Sequence, residues 1–342
     1  MSFKVKIKAS GNTFNAEKNE SILEAALKHN IVLPYGCKNG SCGACKGKII
    51  EGIVDYGQYQ SSVLGDHEKK AGMALFCQAT ANSDLLIEAR EVTGTGDIEV
   101  RRLPTRVQSL EKVADDVIVL KLKLPSNEAL QFLPGQYVDI LLRDGKRRSY
   151  SMANSPSQNG HVELHVRNME NGTFTKQVFE SMKVKDILRF EGPLGTFFFR
   201  EESDKPIIFV ASGTGFAPIK SILEYIFEKE IKRPITLYWG GRRPKDIYME
   251  KLVNQWVLDH ENFKFIPVIS DQLEEDAWTG RDGLVHHAVM ADYSDLSNYQ
   301  VYACGVPVMV ESARRDFVAN CNLPPEEFYS DAFTPPLDTQ KS

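Results

Sequence analysis

Apolar and polar residues alternate at the start of the chain, which predicts a half-buried strand over 3–9. Gly11 and Asn12 form a turn signal that leads into a second strand. Ser21 is typical of a helix N-cap and Glu24 follows three residues later, so a capped helix is expected there, and it must end before Pro34. With further strands predicted at 48–50 and 85–89, the pattern indicates a small mixed sheet with one helix.

From residue 103 the apolar positions fall into short runs separated by turn residues. These runs predict strands at 106–110, 117–124, 137–142, 162–166 and 187–190. Short strands at this spacing are typical of an antiparallel β-barrel, which we place at 103–202. The small residues and charges of 93–102 are interpreted as a linker that follows a first domain at 1–92.

Between residues 203 and 334 the pattern changes to apolar strands that alternate with helices. Strands are predicted at 207–211, 235–238, 264–269 and 300–304, and helices at 218–228, 247–259, 284–290 and 306–319. This alternation predicts an α/β domain with a doubly wound parallel sheet. The expected fold is therefore multi-domain, with an α+β domain, a β-barrel and an α/β domain in that order.

The composition is ordinary for a globular protein and excludes several classes of function. The 342 residues carry a formal net charge of −5, and no basic, aromatic-rich patch indicates a nucleic-acid partner. No apolar run approaches the length that spans a bilayer, and the charged, alternating start is not that of a signal peptide. We therefore expect a cytoplasmic protein without a membrane span.

Three cysteines, Cys37, Cys42 and Cys45, stand at C-x4-C-x2-C spacing, and Cys77 follows downstream. This is the plant-type spacing for a [2Fe–2S] cluster, which four thiolates ligate. Glycines in the loop suit the unusual dihedrals and close N–H approach that such a site needs. Structural zinc sites usually pair their cysteines in two short knuckles, and a disulfide framework is unusual in a long chain with six cysteines.

The cluster loop is also basic, because Lys38, Lys46 and Lys48 occur between 36 and 50 without any acidic residue. One hypothesis is that these lysines steer an acidic electron acceptor to the exposed edge of the cluster. The alternative is a solvated rim of charges that contributes little.

Two segments of the predicted barrel carry candidate flavin chemistry. Arg148, Ser149, Tyr150 and Ser151 combine a guanidinium fork for phosphate, an aromatic ring and hydroxyl groups. The segment 171–175 is a glycine turn that opens a helix, where backbone N–H groups bind anions. Each segment alone is equally compatible with an ordinary strand or an ordinary capped turn.

The third domain carries candidate nucleotide chemistry at the ends of two predicted strands. Gly213, Thr214 and Gly215 form a strand–turn–helix unit of the kind that binds nucleotide phosphates. Cys304 and Gly305 end the last strand of the parallel set, at the edge where ligands bind in such sheets. A buried small residue is the alternative interpretation of Cys304.

Taken in order, these motifs resemble the ferredoxin–NADP reductase superfamily, and the cysteine loop is similar to that of plant-type ferredoxin domains, which have a β-grasp fold. The resemblance implies FAD as the flavin. It implies that Arg148 contacts the flavin phosphates, that Tyr150 stacks on the isoalloxazine ring and that Ser151 hydrogen-bonds flavin N5. Further flavin contacts are implied for Ser149, His165, Val166, Arg167, Gly172, Thr173 and Thr175.

The same resemblance implies a site for hydride transfer at the end of the third domain. Cys304 would lie beside the nicotinamide, Phe333 would shield the flavin until nicotinamide displaces it, and Asp331 would stand in for the family's usual glutamate. Ser151 completes this catalytic set. The implied nucleotide contacts are Gly213, Thr214, Gly215, Arg242, Cys304, Gly305 and Phe333.

The coenzyme is less narrowly defined by the residues. Arg242 and Arg243 follow the second strand of the third domain and could grip a 2′-phosphate, hold the NADH pyrophosphate or face solvent. Reductases that resemble this chain mostly use NADH, so NADH is the expected coenzyme and NADPH the alternative.

The order of the three domains implies a reductase that passes electrons from NADH through FAD and the cluster to a separate protein. The chain resembles the reductase components of bacterial oxygenases and, more closely, the reductase partner of a deoxysugar dehydrase. The stretches that carry the closer resemblance are 148–154, 191–199, 209–221, 278–280 and 328–333. The rival interpretations are a non-enzymatic redox sensor and a zinc-stabilised flavoreductase.

Overall fold

The computed structural model describes residues 2–94 and 98–334, which form two compact units that divide between residues 98 and 99. Residues 95–97 of the predicted linker lie outside the described residues. Arg101 and Arg102, which the sequence assigned to the linker, instead begin the first strand of the second unit and pair with Gly192 and Glu191. Arg102 also forms an ion pair with Glu191, which holds this end of the strand to its neighbour.

The first unit is a five-stranded mixed sheet with one principal helix. Its elements are β1 (Ser2–Ile7), β2 (Thr13–Glu17), α1 (Ile22–Lys28), β3 (Lys46–Glu51), β4 (Val54–Asp55), α2 (Asp66–Lys70), β5 (Met73–Leu75), β6 (Thr80–Ala81) and β7 (Leu85–Glu88). The sheet has the order β2-β1-β7-β3-β5, with β1 parallel to β7, and β4 pairs with β6 separately. This arrangement confirms the predicted α+β ferredoxin-type fold.

Helix α1 begins where the capping box predicts. The Ser21 hydroxyl accepts a hydrogen bond from the Glu24 N–H at 3.2 Å, and the Glu24 carboxylate accepts one from the Ser21 N–H at 3.3 Å. The helix buries Ile22, Leu23 and Ala26 in the core of the sheet. The sequence pattern missed α2, which buries no side chain and therefore has no apolar stripe.

The second unit begins with the predicted antiparallel barrel. Its elements are β8 (Arg101–Ala114), β9 (Val117–Lys123), β10 (Tyr137–Leu141), β11 (Arg147–Ser151), β12 (His161–Arg167), α3 (Thr173–Glu180) and β13 (Ile187–Leu194). The strands follow the order β11-β10-β13-β8-β9-β12. The chain beyond β11 closes this order on β12, through a bridge between Met152 and Leu164 and a 2.8 Å hydrogen bond from Ala153 N–H to the Glu163 carbonyl.

The rest of the second unit is a parallel sheet with helices. Its elements are β14 (Ile207–Ser212), α4 (Phe216–Glu228), β15 (Ile235–Gly241), α5 (Glu250–Asp259), β16 (Phe263–Ile269), β17 (Arg281–Asp282), α6 (Val285–Asp292), β18 (Gln300–Gly305), α7 (Pro307–Asn320) and β19 (Phe328–Ala332). The order β17-β16-β15-β14-β18-β19 places β14 in the interior, where it is parallel to both neighbours. This arrangement confirms the predicted doubly wound sheet. No helix in the described ranges is long and apolar enough to cross a membrane.

Two helices of this sheet begin two or three residues away from their predicted starts. Helix α4 starts at Phe216, two residues before Pro218, because proline is tolerated in the first turn of a helix. Helix α5 starts at Glu250, three residues after the predicted start, because Pro244–Asp246 form a short 3-10 turn first.

A buried group of charges joins the barrel to the parallel sheet. The Lys220 ammonium on α4 lies 3.0 Å from a Glu163 carboxylate oxygen on β12 and 2.6 Å from one of Glu224. Burial opposes ionisation of Glu163, but the hydrogen bond to His165 and the charge of Lys220 outweigh it and lower the pKa of Glu163 well below its usual value. Glu163 is thus a buried carboxylate that is ionised and paired.

We expect Gly47→Ala to disturb the cluster site. A Cβ at Gly47 would overlap the ring of Phe76. The backbone N–H of Phe76 donates to the Cys45 carbonyl at 3.0 Å. Overpacking of this kind costs about 1–3 kcal/mol, and Phe76 precedes the fourth cysteine. The cluster absorbance per protein chain, measured after purification, should fall.

The matched control for this prediction is Gly65→Ala, because the nearest atom to a Cβ there is a Glu68 carboxylate oxygen at 3.9 Å. This variant should retain the full cluster absorbance. Equal absorbance and equal thermal unfolding of the two variants would contradict the prediction.

We expect Glu163→Gln to destabilise the second unit by about 2 kcal/mol at pH 7, because a buried hydrogen-bonded charge is lost. The lowered pKa of Glu163 stabilises the fold above the unfolded-state pKa of about 4.3, and this stabilisation is lost as the pH falls below that value. The difference in the free energy of unfolding between wild type and variant should therefore narrow below about pH 4.

Urea unfolding followed by tryptophan fluorescence measures this difference, because Trp239, Trp256 and Trp278 all lie in the second unit. The control is Glu180→Gln, which removes an exposed carboxylate 4.0 Å from Lys176 and should change stability little. A difference that stays constant from pH 7 to pH 3.5 would refute the assignment to Glu163.

Candidate functional site

The cysteine loop connects α1 to β3 and meets the fourth cysteine beside β5. Antiparallel pairing of β3 with β5 brings Cys45 and Cys77 together, since Lys46 is opposite Leu75 in the register. Lys38 and Gly40 both have positive φ angles, +58° and +74°, so the backbone of this loop turns sharply between the first two cysteines.

Backbone N–H groups of this loop donate to the cysteine sulfurs. The Cys37 N–H donates to the Cys42 sulfur at 3.3 Å, and the Ser41 N–H donates to the Cys37 sulfur at 3.4 Å. The hydrogen bond from the Cys42 thiol, together with backbone N–H groups and against the effect of burial, lowers the pKa of Cys37 to about 6. The pKa of Cys77 is lowered in the same way by the Cys45 thiol.

The environment of the four sulfurs fits an inorganic cluster. They form two neighbouring pairs, Cys37 with Cys42 and Cys45 with Cys77. Among the described residues, the buried hydroxyl of Ser41 has no hydrogen-bond partner within the protein. A donor that is buried beside sulfurs suits the sulfides of a [2Fe–2S] centre.

Strand β11 presents the predicted flavin residues on alternate sides. Tyr150 packs against Phe174 of α3, with ring centroids 5.4 Å apart, and burial raises the pKa of its hydroxyl. The Ser149 hydroxyl donates to an Asp139 carboxylate oxygen at 2.6 Å, so Asp139 already holds this side chain. Ser151 is buried at the end of the strand.

The start of α3 forms a second part of the flavin region. Gly172 precedes the helix, and the buried Thr175 hydroxyl donates to the Gly172 carbonyl at 3.1 Å, which fixes the turn. A recess of about 470 Å³ lies over this turn, lined by Asn168, Met169, Glu170, Asn171, Gly172, Thr173, Lys176 and Glu180. The N–H groups of the helix start and the Lys176 ammonium suit an anionic phosphate.

The structure places the three predicted flavin residues of β12 in different surroundings. Val166 lies in the barrel core, whereas His165 is buried against Tyr248 and Glu163. Arg167 forms an ion pair with Asp116 at 3.0 Å. Its guanidinium also lies against Gly213 of the nucleotide loop. A flavin contact of Val166 or His165 would therefore use backbone atoms. The assignment of these two residues as flavin contacts stays a prediction.

The glycines at the ends of β14 and β18 allow two strand ends to meet. A Cβ at Gly215 would overlap the Cys304 carbonyl, and one at Gly305, where φ is +142°, would overlap the Ser212 hydroxyl. That hydroxyl accepts a hydrogen bond from the Val306 N–H at 3.0 Å. The nucleotide loop is thus pressed against the segment that carries Cys304.

Strand register brings two of the predicted catalytic residues, Cys304 and Asp331, together at one edge of the parallel sheet. Cys304 is fully buried and stands between Ala211 of β14 and Asp331 of β19. Burial, reinforced by the charge of Asp331, raises the pKa of the Cys304 thiol, which is therefore protonated at neutral pH.

The same edge meets the flavin strand of the barrel. The Ser151 hydroxyl donates to an Asp331 carboxylate oxygen at 3.5 Å, although the two residues lie 180 positions apart in the sequence. The Phe333 N–H donates to the Gly305 carbonyl at 2.8 Å, which places Phe333 beside Cys304. A serine hydroxyl, a thiol, a carboxylate and an aromatic ring thus come together where the barrel adjoins the parallel sheet.

Sequence reasoning missed residues that support this edge. Asp139 holds Ser149, and Trp239 donates from its indole N–H to the Gly213 carbonyl at 3.1 Å. Tyr248 packs edge-on against Trp239 with ring centroids 5.1 Å apart. Trp239 is an aromatic residue near the carboxyl end of a buried strand, which was the available signal, whereas nothing in the sequence marks Tyr248.

The structure also separates the two arginines that follow β15. Arg243 is committed to acidic residues, because its guanidinium lies 2.6 Å from Asp276 and 3.2 Å from Glu275. Arg242 is exposed at the strand end, where its backbone N–H donates to an Asp246 carboxylate oxygen and its carbonyl accepts from the Asp271 N–H.

Three family models match the chain in succession. They are the 2Fe-2S iron-sulfur cluster binding domain at 5–82, the oxidoreductase FAD-binding domain at 104–199 and the oxidoreductase NAD-binding domain at 209–315. These matches confirm the three predicted cofactors, [2Fe–2S], FAD and NADH. They also exclude a zinc site as the interpretation of the cysteine loop.

Similar proteins match the whole chain. The chain is 41% identical to a CDP-6-deoxy-L-threo-D-glycero-4-hexulose-3-dehydrase reductase of Yersinia pseudotuberculosis, covering 98% of this chain and 99% of the relative. It is 33% identical to reductase component 1 of the terephthalate 1,2-dioxygenase of a Comamonas species, covering 97% and 98%. Among solved structures, a cytochrome P450 reductase of Amycolatopsis is 30% identical with a TM-score of 0.78, covering 97% of this chain and 99% of that one.

These relatives match the chain over nearly its full length, and their names describe reductases that serve a dehydrase, a dioxygenase and a cytochrome P450. The chain is therefore an oxidoreductase, and it belongs to the three-domain reductases of the ferredoxin–NADP reductase superfamily, which join a [2Fe–2S] domain, an FAD domain and an NAD domain.

Proposed function

We propose that this chain is the reductase of a deoxysugar dehydrase, and that it draws electrons from NADH and delivers them singly to that separate protein. The observation that carries the proposal is the meeting of Ser151, Cys304 and Asp331 at one edge of the second unit. Bound FAD supplies the conversion from a two-electron hydride to single electrons, and the [2Fe–2S] cluster supplies a one-electron carrier. The protein supplies binding, orientation and electrostatics.

Within this proposal the barrel residues hold and orient the flavin. Arg148 and the N–H groups at Gly172 and Thr173 bind its phosphates, and Tyr150 lies against its ring. Thr175 keeps the turn in shape, as its bond to the Gly172 carbonyl supports. The Ser151 hydroxyl holds a proton that is directed at Asp331, and this proton can be turned to flavin N5 when the ring is bound.

The nucleotide residues complete the site from the other side. The N–H groups of the loop at 213–215 and the Arg242 guanidinium bind the nucleotide phosphates. The thiol of Cys304 stays protonated, so it places no negative charge beside the reacting nicotinamide, as the raised pKa of Cys304 supports. Phe333 covers the flavin face until the nicotinamide takes its place.

NADH is the proposed coenzyme in preference to NADPH. A 2′-phosphate needs an uncommitted cation near the end of β15. Arg243 already pairs with Asp276 and Glu275, so an added phosphate would have to displace two carboxylates. With the Arg242 guanidinium assigned to the pyrophosphate, this arrangement supports NADH, whose ribose carries no phosphate at that position.

The identity of the acceptor rests on similarity of the whole chain. The dehydrase reductase of Yersinia pseudotuberculosis is 41% identical and the dioxygenase component of Comamonas is 33% identical, which favours the dehydrase system, as in CDP-6-deoxy-glucoseen reductase. A ring-hydroxylating dioxygenase or a multicomponent monooxygenase is the second candidate. A non-enzymatic redox sensor would not need an NAD domain that ends in Cys304 and Phe333.

A cytoplasmic location is proposed because NADH and thiolate ligands both belong to a reducing compartment.

Anaerobic titration of the holoprotein with NADH is expected to bleach the visible absorbance of both flavin and cluster, and NADPH should act more weakly.

In Cys77→Ser one of four cluster ligands is removed, so NADH should still reduce the flavin while the protein acceptor is no longer reduced. Stopped-flow absorbance with a purified dehydrase, and in parallel with a dioxygenase component, measures both steps.

The control for that experiment is Cys321→Ser, a buried cysteine of the second unit outside the site, which should keep the cluster and full transfer. No bleaching by NADH in protein that holds both FAD and cluster would sink the proposed function. Faster transfer to the dioxygenase component than to the dehydrase would favour the second candidate.

The structure narrows the lysine hypothesis to part of the predicted rim. Lys46 pairs with Glu68 at 2.7 Å and is three-quarters buried, so its charge is largely neutralised. Lys38 is exposed on the cluster loop, with its ammonium 4.7 Å from the centre of the Tyr35 ring, and Lys48 is exposed on β3. Lys38 is therefore the proposed contact for an acidic acceptor.

We expect Lys38→Glu to slow reduction of the acceptor protein several-fold at low ionic strength, because it replaces attraction by repulsion near the cluster. The effect should shrink as salt screens the charges. Lys6→Glu on β1 carries the same change of net charge outside the loop and should transfer at the wild-type rate. Equal rates for the two variants at low ionic strength would rule out steering by Lys38.

A further inference from the structure

Alternate residues of β12 face two different cores. Val162, Leu164 and Val166 point into the barrel, whereas Glu163 and His165 lie on the opposite face, where the parallel sheet covers them. Both residues of the second face are buried, with 5% and 4% of their surface exposed. Polar side chains that are buried this completely must be satisfied by each other.

His165 joins Glu163 to Tyr248 through its two ring nitrogens. Nε2 lies 3.2 Å from a Glu163 carboxylate oxygen, and Nδ1 lies 2.8 Å from the Tyr248 hydroxyl. An ionised carboxylate only accepts hydrogen bonds, so Nε2 carries the proton and Nδ1 accepts from the tyrosine. The burial that lowers the pKa of His165 favours this neutral ring.

Tyr248 connects His165 to the nucleotide loop through further contacts. Its ring packs edge-on against Trp239 with centroids 5.1 Å apart, and Trp239 stacks on Phe216 at 4.0 Å. The Trp239 indole N–H then donates to the Gly213 carbonyl at 3.1 Å. A continuous series of contacts therefore runs from the barrel strand to the loop at 213–215.

The other side of β12 meets the flavin strand. Leu164, the residue before His165, bridges to Met152, which follows Ser151. Leu164 of β12 thus contacts the segment that carries Ser151, and the next residue, His165, supports the nucleotide loop. Strand β12 therefore contacts both the segment of Ser151 and the support of the nucleotide loop.

We propose that His165 and Tyr248 are positioning residues for the nicotinamide nucleotide, and that they hold the loop at 213–215 in the conformation that binds it. This inference rests on the proposed function, since it concerns how NADH is bound there. Their effect is expected mainly on the KM for NADH, because the loop binds the nucleotide, while the reacting groups are unchanged. In the proposed function the flavin is held by Arg148, Tyr150 and the turn at 172–175.

The test compares steady-state kinetics of His165→Ala and Tyr248→Phe holoproteins, with NADH as donor and ferricyanide as acceptor. Each should raise the KM for NADH about 5-fold, the equivalent of one hydrogen bond, and change kcat less than about 2-fold. The double variant should be no worse than either single one, because both remove the same contact. FAD content and the flavin spectrum should match the wild type.

Tyr225→Phe is the matched control, because it removes a tyrosine hydroxyl that donates to Glu201 at 2.9 Å elsewhere in the same unit. It should leave the KM for NADH unchanged. His165→Gln, which retains a polar side chain that can meet Tyr248, should recover part of the affinity lost in His165→Ala.

Two results would overturn the inference while wild-type protein still oxidises NADH. One is an unchanged KM in both single variants. The other is loss of FAD from His165→Ala with an unchanged KM, which would make His165 a flavin contact, as the sequence first suggested. A wild-type holoprotein that fails to oxidise NADH would overturn the proposed function, on which this inference rests.

Discussion

Close contact between the ends of β14 and β18 is the constraint on which the reactive edge depends. Neither Gly215 nor Gly305 has room for a Cβ, because the Cys304 carbonyl and the Ser212 hydroxyl occupy that space. Only backbones without side chains can approach in this way, and the approach carries Cys304 to the carboxyl edge of the sheet. The next parallel strand then delivers Asp331 to the same edge.

The two units hold their reactive groups by different physical means. In the first, backbone N–H groups of an irregular loop donate to sulfur, and the Cys42 thiol together with such backbone donors lowers the pKa of Cys37 to about 6. In the second, regular strands set the spacing, and buried charges such as Lys220 and Glu163 fix how barrel and sheet meet. Buried ion pairs contribute little net stability, but a wrong geometry leaves a charge unpaired, so they select one arrangement.

The sequence predicted most of this architecture, because its signals are local. Capping at Ser21, cysteine spacing and the glycine turn at 213–215 each depend on a few adjacent residues. Alternation and apolar runs likewise indicated the mixed sheet, the barrel and the parallel sheet. Contacts between distant segments were not predictable in this way: nothing near Tyr248 indicates that it meets His165, and the commitment of Arg243 to Asp276 depends on a turn that no pattern marked. Helix α2 was missed because it buries nothing.

Helix α4 begins in the nucleotide loop and carries Lys220 about one turn later, where it pairs with Glu163 of the barrel. A helix is stiff over that length, so a displacement of the loop is also a displacement of the ammonium group. Any coupling between the flavin site and the nucleotide site that this helix carries is reciprocal, so each ligand would change the affinity for the other by the same factor. A substitution that displaces α4 then acts on the nucleotide loop and on the barrel together.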